Sequence, residues 1–465
     1  MVPDFLTIAE AARLIQSKKL SPLELVESRL DRIARLDGSL NSFICVMAEK
    51  ARADAVAAEA EIAAGYYRGP LHGIPIGLKD LYETAGVATT GHSKVMQNHV
   101  PTADAFTVRK LHEAGAIVLG KLATHEFALG GPSFDLPWPP ARNPWDASRM
   151  PGGSSSGTGA AVAAGLVLGG TGTDTGGSIR NPATYCGLAG IKPTYGLVSR
   201  MGILPLSFSL DHAGPLAWTT EDCAILLQAM AGHDPRDPAS ARHSPPDYRT
   251  ALQGSVKGLR VGLIRHFYER DNVANATTQQ AIVEAAKVVE NLGCNVREVT
   301  LSPLADWGAC GWVILYAEAY AIHEANLRTR FTDYGEIFRD RMVLAGLVTG
   351  ADYVQALRLR RELIDELHRA MVDLDLVMTT VTPGEAPRID TGSKFATLDR
   401  PSLMMPFNVT DSPAMSVCCG FGESGLPLSF QIVGKRFADA TVLRLGHAYE
   451  QATPWRDRRP TTCAG

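Results

Sequence analysis

The hydroxyls and glycines of this chain concentrate between Pro151 and Ala183, in the run PGGSSSGTGAAVAAGLVLGGTGTDTGGSIRNPA. Gly152 and Gly153 precede three serines, Ser154, Ser155 and Ser156, and give a backbone able to adopt positive φ and hold a tight turn. The next stretch, Gly157 to Leu168, is built mostly from Gly, Ala and Val, so a helix there buries on all sides and allows close backbone approach. Thr175, Gly176, Gly177 and Ser178 then present consecutive backbone N–H groups with little side-chain cover. Such a run forms a concave nest, the donor geometry that a developing oxyanion needs. A serine nucleophile also needs a base, and no histidine lies near these motifs in sequence. Lys79, however, closes the apolar run Gly73-Ile-Pro-Ile-Gly-Leu-Lys79-Asp80. A lysine carried into the core by such a run loses solvation, which disfavours its ammonium form and lets it act as a neutral base.

Other chemistries fit the same residues less well. A flexible Gly/Ser linker would not continue into an Ala-rich apolar helix. A phosphate cradle lacks G-x-x-x-x-G-K-[ST], and no G-x-G-x-x-G follows a strand with an acidic residue downstream. Gly153-x-Ser155-x-Gly157 matches G-x-S-x-G, but the segment before it, Asn143 to Pro151, is not the apolar strand a nucleophile elbow requires. His125-Glu126 has Leu129 where H-E-x-x-H places its second histidine, and no other cluster shows metal-ligand spacing, so no metal and no cofactor is expected. The eight cysteines form no C-x-x-C pair, and Cys186 beside the motif reads as structural.

These groups must be positioned by a large fold. Of 465 residues 45% are hydrophobic and 20% charged, enough for a sizeable core and incompatible with disorder. The net charge of −4, without blocks of like charge, argues against nucleic acid or an anionic membrane as a partner. The N-terminus has no signal-peptide pattern, and Gly159 to Gly170 is too short to span a bilayer, which takes about 20 residues. A cytoplasmic protein with a small-molecule substrate is the expectation, with a homodimer left open.

Residues 1–70 read as helices, with capping boxes at Thr7/Glu10 and at Ser21/Glu24, the latter with Pro22 at its first position. Helical patterns over 103–114 and 277–293 alternate with strand patterns over 116–119, 259–264 and 296–301, the signature of an α/β sheet. Residues 71–232 form the core around the Gly/Ser segment. Residues 233–258 read as a proline-rich linker, and 259–465 as further strands with a helical, substrate-covering region over about 302–375. Because the last ninety residues repeat the α/β pattern, one sheet revisited late in the chain is expected rather than separate domains.

The Gly/Ser segment resembles the signature of the amidase signature family, serine hydrolases with a Ser–Ser–Lys triad. The resemblance extends to Gly73–Asp80, Arg142–Trp145, Gly190–Arg200, Ser209–Pro215, Pro406–Thr410 and Gly425–Gly434, with Ser156 standing where the family usually has a second glycine. It implies a single α/β fold with a large, mixed, twisted sheet covered by helices on both sides. It also implies Ser178 as nucleophile, Ser154 as bridging serine behind a cis peptide bond, Lys79 as base, and an oxyanion hole from the N–H groups of Thr175, Gly176, Gly177 and Ser178. Asp174 and Arg180, flanking the nest, read as a buried structural pair.

Within that family three classes are weighed. They are a stand-alone amide hydrolase, the glutaminase component of the tRNA-dependent amidotransferase working inside a complex, and a binding protein without chemistry. The last is disfavoured because Lys79, Ser154 and Ser178 are all present. The amidotransferase pattern D-x-x-T-x-x-x-N, whose Asp receives the glutamine amino group, meets Pro401 and Met404 before Asn408 here, which favours the hydrolase. Phe127, Leu129, Gly130, Gly131, Ser155 and Met404 are the expected substrate contacts, with Phe134, Trp138 and Met405 as further candidates. Their apolar character suggests aryl or alkyl amides, anilides or carbamates (urethanes). Arg341 stands as a candidate for binding a substrate carboxylate but is read first as a surface residue, as a lone helical arginine usually is, and ureas and small dicarboxylic monoamides are disfavoured for want of an evident anion clamp.

Overall fold

The computed structural model describes residues 2–391 and 393–463. Among them eleven strands build one mixed sheet: β1 (Phe43–Val46), β2 (Pro75–Lys79), β3 (Ile117–Leu122), β4 (Gly169–Asp174), β5 (Ala189–Lys192), β6 (His212–Ala217), β7 (Arg260–Leu263), β8 (Asn295–Glu298), β9 (Leu376–Thr380), β10 (Ala414–Phe421) and β11 (Pro427–Gly434). Their spatial order is β1-β3-β2-β4-β6-β5-β10-β11-β9-β7-β8. Strands β2, β3 and β4 pair in parallel at one end and β7, β8 and β9 at the other, while antiparallel pairs join them through the middle. The central strands are buried along their whole length, as expected where both faces are covered.

The glycines of β4 show how the faces are covered. A Cβ on Gly169 would meet Leu226 and Ile8, which lie on helices Thr220–Met230 and Ile8–Gln16. One residue on, a Cβ on Gly170 would meet Thr158 of helix Ser156–Ala163. Successive strand residues point to opposite faces, so these helices pack on opposite sides of the sheet.

Both N-terminal capping boxes form, at Thr7 for helix Ile8–Gln16 and at Ser21 for helix Pro22–Leu40. The first seventy residues are not all helix, however. Phe43–Val46 is an edge strand antiparallel to β3, a pairing decided by a partner over seventy residues away. The apolar run after Ile74 becomes β2, which delivers Lys79 at its end, and β4 delivers Asp174. The Gly/Ser turn opens helix Ser156–Ala163, and Thr175–Ser178 lies between β4 and helix Arg180–Cys186. The expected helical region resolves into helices Leu304–Thr329, Glu336–Ala345 and Gly350–Ala370. No helix among the described residues is long and apolar enough to cross a membrane.

Candidate active site

Lys79 ends β2 with no exposed surface. Its Nζ lies 2.7 Å from Ser154 Oγ, 3.0 Å from Ser155 Oγ and 2.8 Å from Thr173 Oγ1. Burial drives its pKa well below the usual lysine value, against the pull of the Asp174 and Asp211 carboxylates. The peptide bond between Gly153 and Ser154 is cis, as the family resemblance implies.

Ser178 is only partly buried and lines a cavity of about 740 Å³ together with Ser154, Thr175, Gly176 and Gly177. No hydrogen bond links the Ser154 and Ser178 hydroxyls among the described residues; their segments are tied instead by Ser155 N–H donating to Ser178 O at 3.3 Å. Such contacts often tighten only once substrate is bound.

The nest is shaped by Asp174. Its carboxylate accepts from the N–H groups of Gly177 at 2.8 Å and Ile179 at 3.1 Å, from the Arg180 guanidinium at 3.0 Å and from Asn408 Nδ2 at 2.9 Å. Burial opposes ionisation here, but Arg180 and these hydrogen bonds overcome it and hold the carboxyl well below the usual range. Asp174 and Arg180 therefore form the expected buried pair, which Gln431 extends at 2.8 Å. One expectation meets a different geometry: the Gly177 N–H donates to Asp174, so of the four expected oxyanion donors Thr175, Gly176 and Ser178 remain candidates.

The expected substrate contacts divide. Leu129, Gly130, Gly131 and Met404 line the cavity, as does Phe134. Phe127 does not; it sits behind the wall with its ring centroid 4.5 Å from that of His323 and 5.6 Å from that of Phe338. Ser155 is likewise not a wall residue, because its hydroxyl belongs to the lysine cage. Met405 is fully buried behind Gly176, and Trp138 packs on His92. Each of these errors comes from sequence proximity standing in for direction.

Three further wall residues complete the site. His125 packs its ring against Gly153, where no Cβ would fit, and donates its backbone N–H to Ser154 O at 3.0 Å. Burial and the neighbouring Lys79 push its pKa down to about 3, so the ring is neutral. Trp312 reaches the cavity from helix Leu304–Thr329. Arg341, read first as a surface residue and second as a carboxylate site, is 2% exposed and lines the cavity from helix Glu336–Ala345. Its Nε donates to Lys394 O at 2.7 Å, and no carboxylate pairs with it among the described residues. The two acids on the cavity wall are already engaged: Glu336 with Lys394 at 2.7 Å and Asp390 with Arg388 at 3.0 Å.

A mixed α/β sheet that carries a desolvated lysine against two serines, beside the Thr175–Ser178 backbone, fits the class of amide-hydrolysing enzymes. The chain belongs to the amidase (amidase signature) family, whose model matches residues 24–443. It is 38% identical over 483 residues to the A component of the glutamyl-tRNA(Gln) amidotransferase of Geobacter metallireducens, covering 98% of both chains. Among solved structures it resembles a chain from a vestigial protein complex that reveals the evolutionary origins of an s-triazine catabolic enzyme, with a TM-score of 0.90, 34% identity and 96% and 98% coverage. It also resembles the peptide amidase of Stenotrophomonas maltophilia, with a TM-score of 0.85, 31% identity and 98% coverage of each chain. The family is one of amide-hydrolysing enzymes. Its curated relatives bear the name of the amidotransferase component, the class that the residue pattern before Asn408 places second.

Proposed function

We propose that this protein hydrolyses the amide bond of a small substrate that carries a carboxylate, through an acyl-enzyme on Ser178. Ser178 Oγ attacks the carbonyl carbon while its proton passes through Ser154 to the neutral amine of Lys79. The carbonyl π pair moves onto oxygen, where the N–H groups of Thr175, Gly176 and Ser178 stabilise it. The pair then reforms the carbonyl, the C–N bond breaks, and the amine leaves with the proton returned through Ser154. Water attacks the ester by the same relay and releases the carboxylic acid and free Ser178. The 2.7 Å contact between Lys79 Nζ and Ser154 Oγ, in a dry cage, is the observation that carries this reading.

The anionic substrate rests on Arg341. Its partners are neutral, the Lys394 carbonyl and the Tyr316 hydroxyl, with no carboxylate among the described residues, so its positive charge on the wall of the cavity that holds Ser178 is one that an anionic substrate would balance. This reverses the preference for aryl amides and carbamates and restores small dicarboxylic monoamides and ureas. An ammonium group, by contrast, finds both wall acids already paired. That weighs against glutamine.

The second reading, an amidotransferase component releasing ammonia from glutamine inside a complex, is favoured by the 38% identity to proteins of that name along the whole chain. The two readings separate in one assay. Purified protein alone is given succinamic acid, acetanilide and glutamine, and acid and amine are measured. Turnover of succinamic acid above both others supports the proposal. Turnover of glutamine alone, or only once partner proteins of the complex are added, supports the second reading.

A further inference from the structure

The nest that Asp174 holds at its Gly177 end is held at its Thr175 end by a group outside the relay. Asp211 Oδ1 accepts the Thr175 hydroxyl at 2.6 Å, while its Oδ2 accepts the N–H groups of Leu206 at 2.8 Å and Ser207 at 3.0 Å. Three donors on one side chain suit a carboxylate, which only accepts. The nest is thus suspended between two carboxylates.

The loop that brings Asp211 is itself seated on the cavity wall. Glu318, on helix Leu304–Thr329, accepts from Ser207 Oγ at 2.5 Å, from Ser209 N–H at 2.9 Å and Oγ at 2.5 Å, and from Tyr353 OH at 2.8 Å. One and two turns before Glu318, the same helix presents Leu315 and Trp312 to the substrate cavity. We propose that Asp211 is a positioning residue that sets the oxyanion donors through the Thr175 hydroxyl, with Glu318 seating its loop from the helix whose Trp312 and Leu315 line the substrate cavity. This rests on the reading of Ser178 as nucleophile.

A purely structural anchor would leave the base untouched, but Asp211 does not. The Asp174 and Asp211 carboxylates both favour the charged form of Lys79, and the neutral His125 ring is also close enough to feel its charge. Burial pushes the Asp211 carboxyl up against the pull of its three donors and of Arg200, and the Tyr195 hydroxyl also faces it. Neutralising Asp211 removes one of the two attractions that oppose burial of the Lys79 ammonium. The active, neutral lysine then forms at lower pH.

The test uses the full chain with Asp211→Asn, Thr175→Val and Glu318→Gln, each checked for its melting temperature. Turnover is followed on whichever amide of the panel reacts fastest, and Ser178 sulfonylation by phenylmethanesulfonyl fluoride is followed against pH. Asp211→Asn should lower kcat about 10- to 100-fold, the scale of a misplaced or lost oxyanion donor, with KM within about threefold. The pH at which sulfonylation reaches half its plateau should fall. Thr175→Val should lose a similar factor in kcat, and the double variant no more than the larger single loss. Glu318→Gln, which keeps Asp211, should lower kcat less and leave the pH midpoint in place. Wild-type kcat in Asp211→Asn, or a loss that only follows the folded fraction with an unmoved midpoint, overturns the proposal. If Ser178→Ala still turns over, the nucleophile reading itself has failed; if it is dead while Asp211→Asn is normal, only the role of Asp211 has.

Discussion

Lys79 Nζ and Ser154 Oγ stand 2.7 Å apart, and both side chains are withdrawn from solvent, Lys79 fully and Ser154 to 2% exposure. Among the described residues no carboxylate touches the amine; hydroxyls from Ser154, Ser155 and Thr173 surround it. The proposed relay therefore depends on desolvation rather than on an ion pair to keep the base neutral.

That relationship sets the pH dependence. The neutral amine is the active form, so kcat/KM should rise with pH through the folded pKa of Lys79. Burial places that value below the ~10.4 of a free lysine, so the rise is complete before alkaline extremes. Lys79→Ala should remove the limb with most of the rate, and Lys79→Arg should do no better, because guanidinium does not deprotonate. A limb that survives in Lys79→Ala at reduced height assigns the base to another group.

Ser178→Ala should cut kcat by about 10³-fold or more while the melting temperature stays near wild type, since one hydroxyl of a partly exposed residue is removed. Mass spectrometry after sulfonyl fluoride treatment should find the label on Ser178. A label on Ser155, whose hydroxyl is locked in the lysine cage, would reverse the assignment.

Arg341→Gln should raise KM for succinamic acid about 10- to 100-fold, the scale of hydrogen bonds to a charged group, and leave a neutral amide nearly unaffected. Equal effects on both substrates would mean that Arg341 supports the wall through Lys394 rather than binding an anion.

Arg180→Ala strands Asp174 as a buried charge stripped of its guanidinium partner. Urea unfolding should show a loss of about 3–5 kcal/mol, and activity should fall with it because Gly177 hangs on the same carboxylate. Arg180→Lys should not restore either fully, since the guanidinium also reaches Asn408 at 2.6 Å and Gln431 at 2.8 Å.

The amino-acid sequence alone determined the features that depend on a residue and its near neighbours. Thr7/Glu10 and Ser21/Glu24 specify helix starts within four residues of chain. The apolar run before Lys79 specifies a buried strand, hence a desolvated amine, and Thr175-Gly-Gly-Ser178 specifies a backbone free of side-chain cover. Tertiary structure decided whatever depends on which distant atom faces a group. The Gly177 N–H turned from the cavity toward Asp174, and Ser155 turned toward Lys79. Phe127 turned into an aromatic cluster with residues some two hundred positions away. Arg341, on a helix with no strong amphipathic pattern, became a buried cavity residue because the segments around Trp312, Leu403 and Lys394 close over the same space. Local sequence sets conformation and polarity, but the direction a side chain faces is settled only when segments separated by tens to hundreds of residues meet.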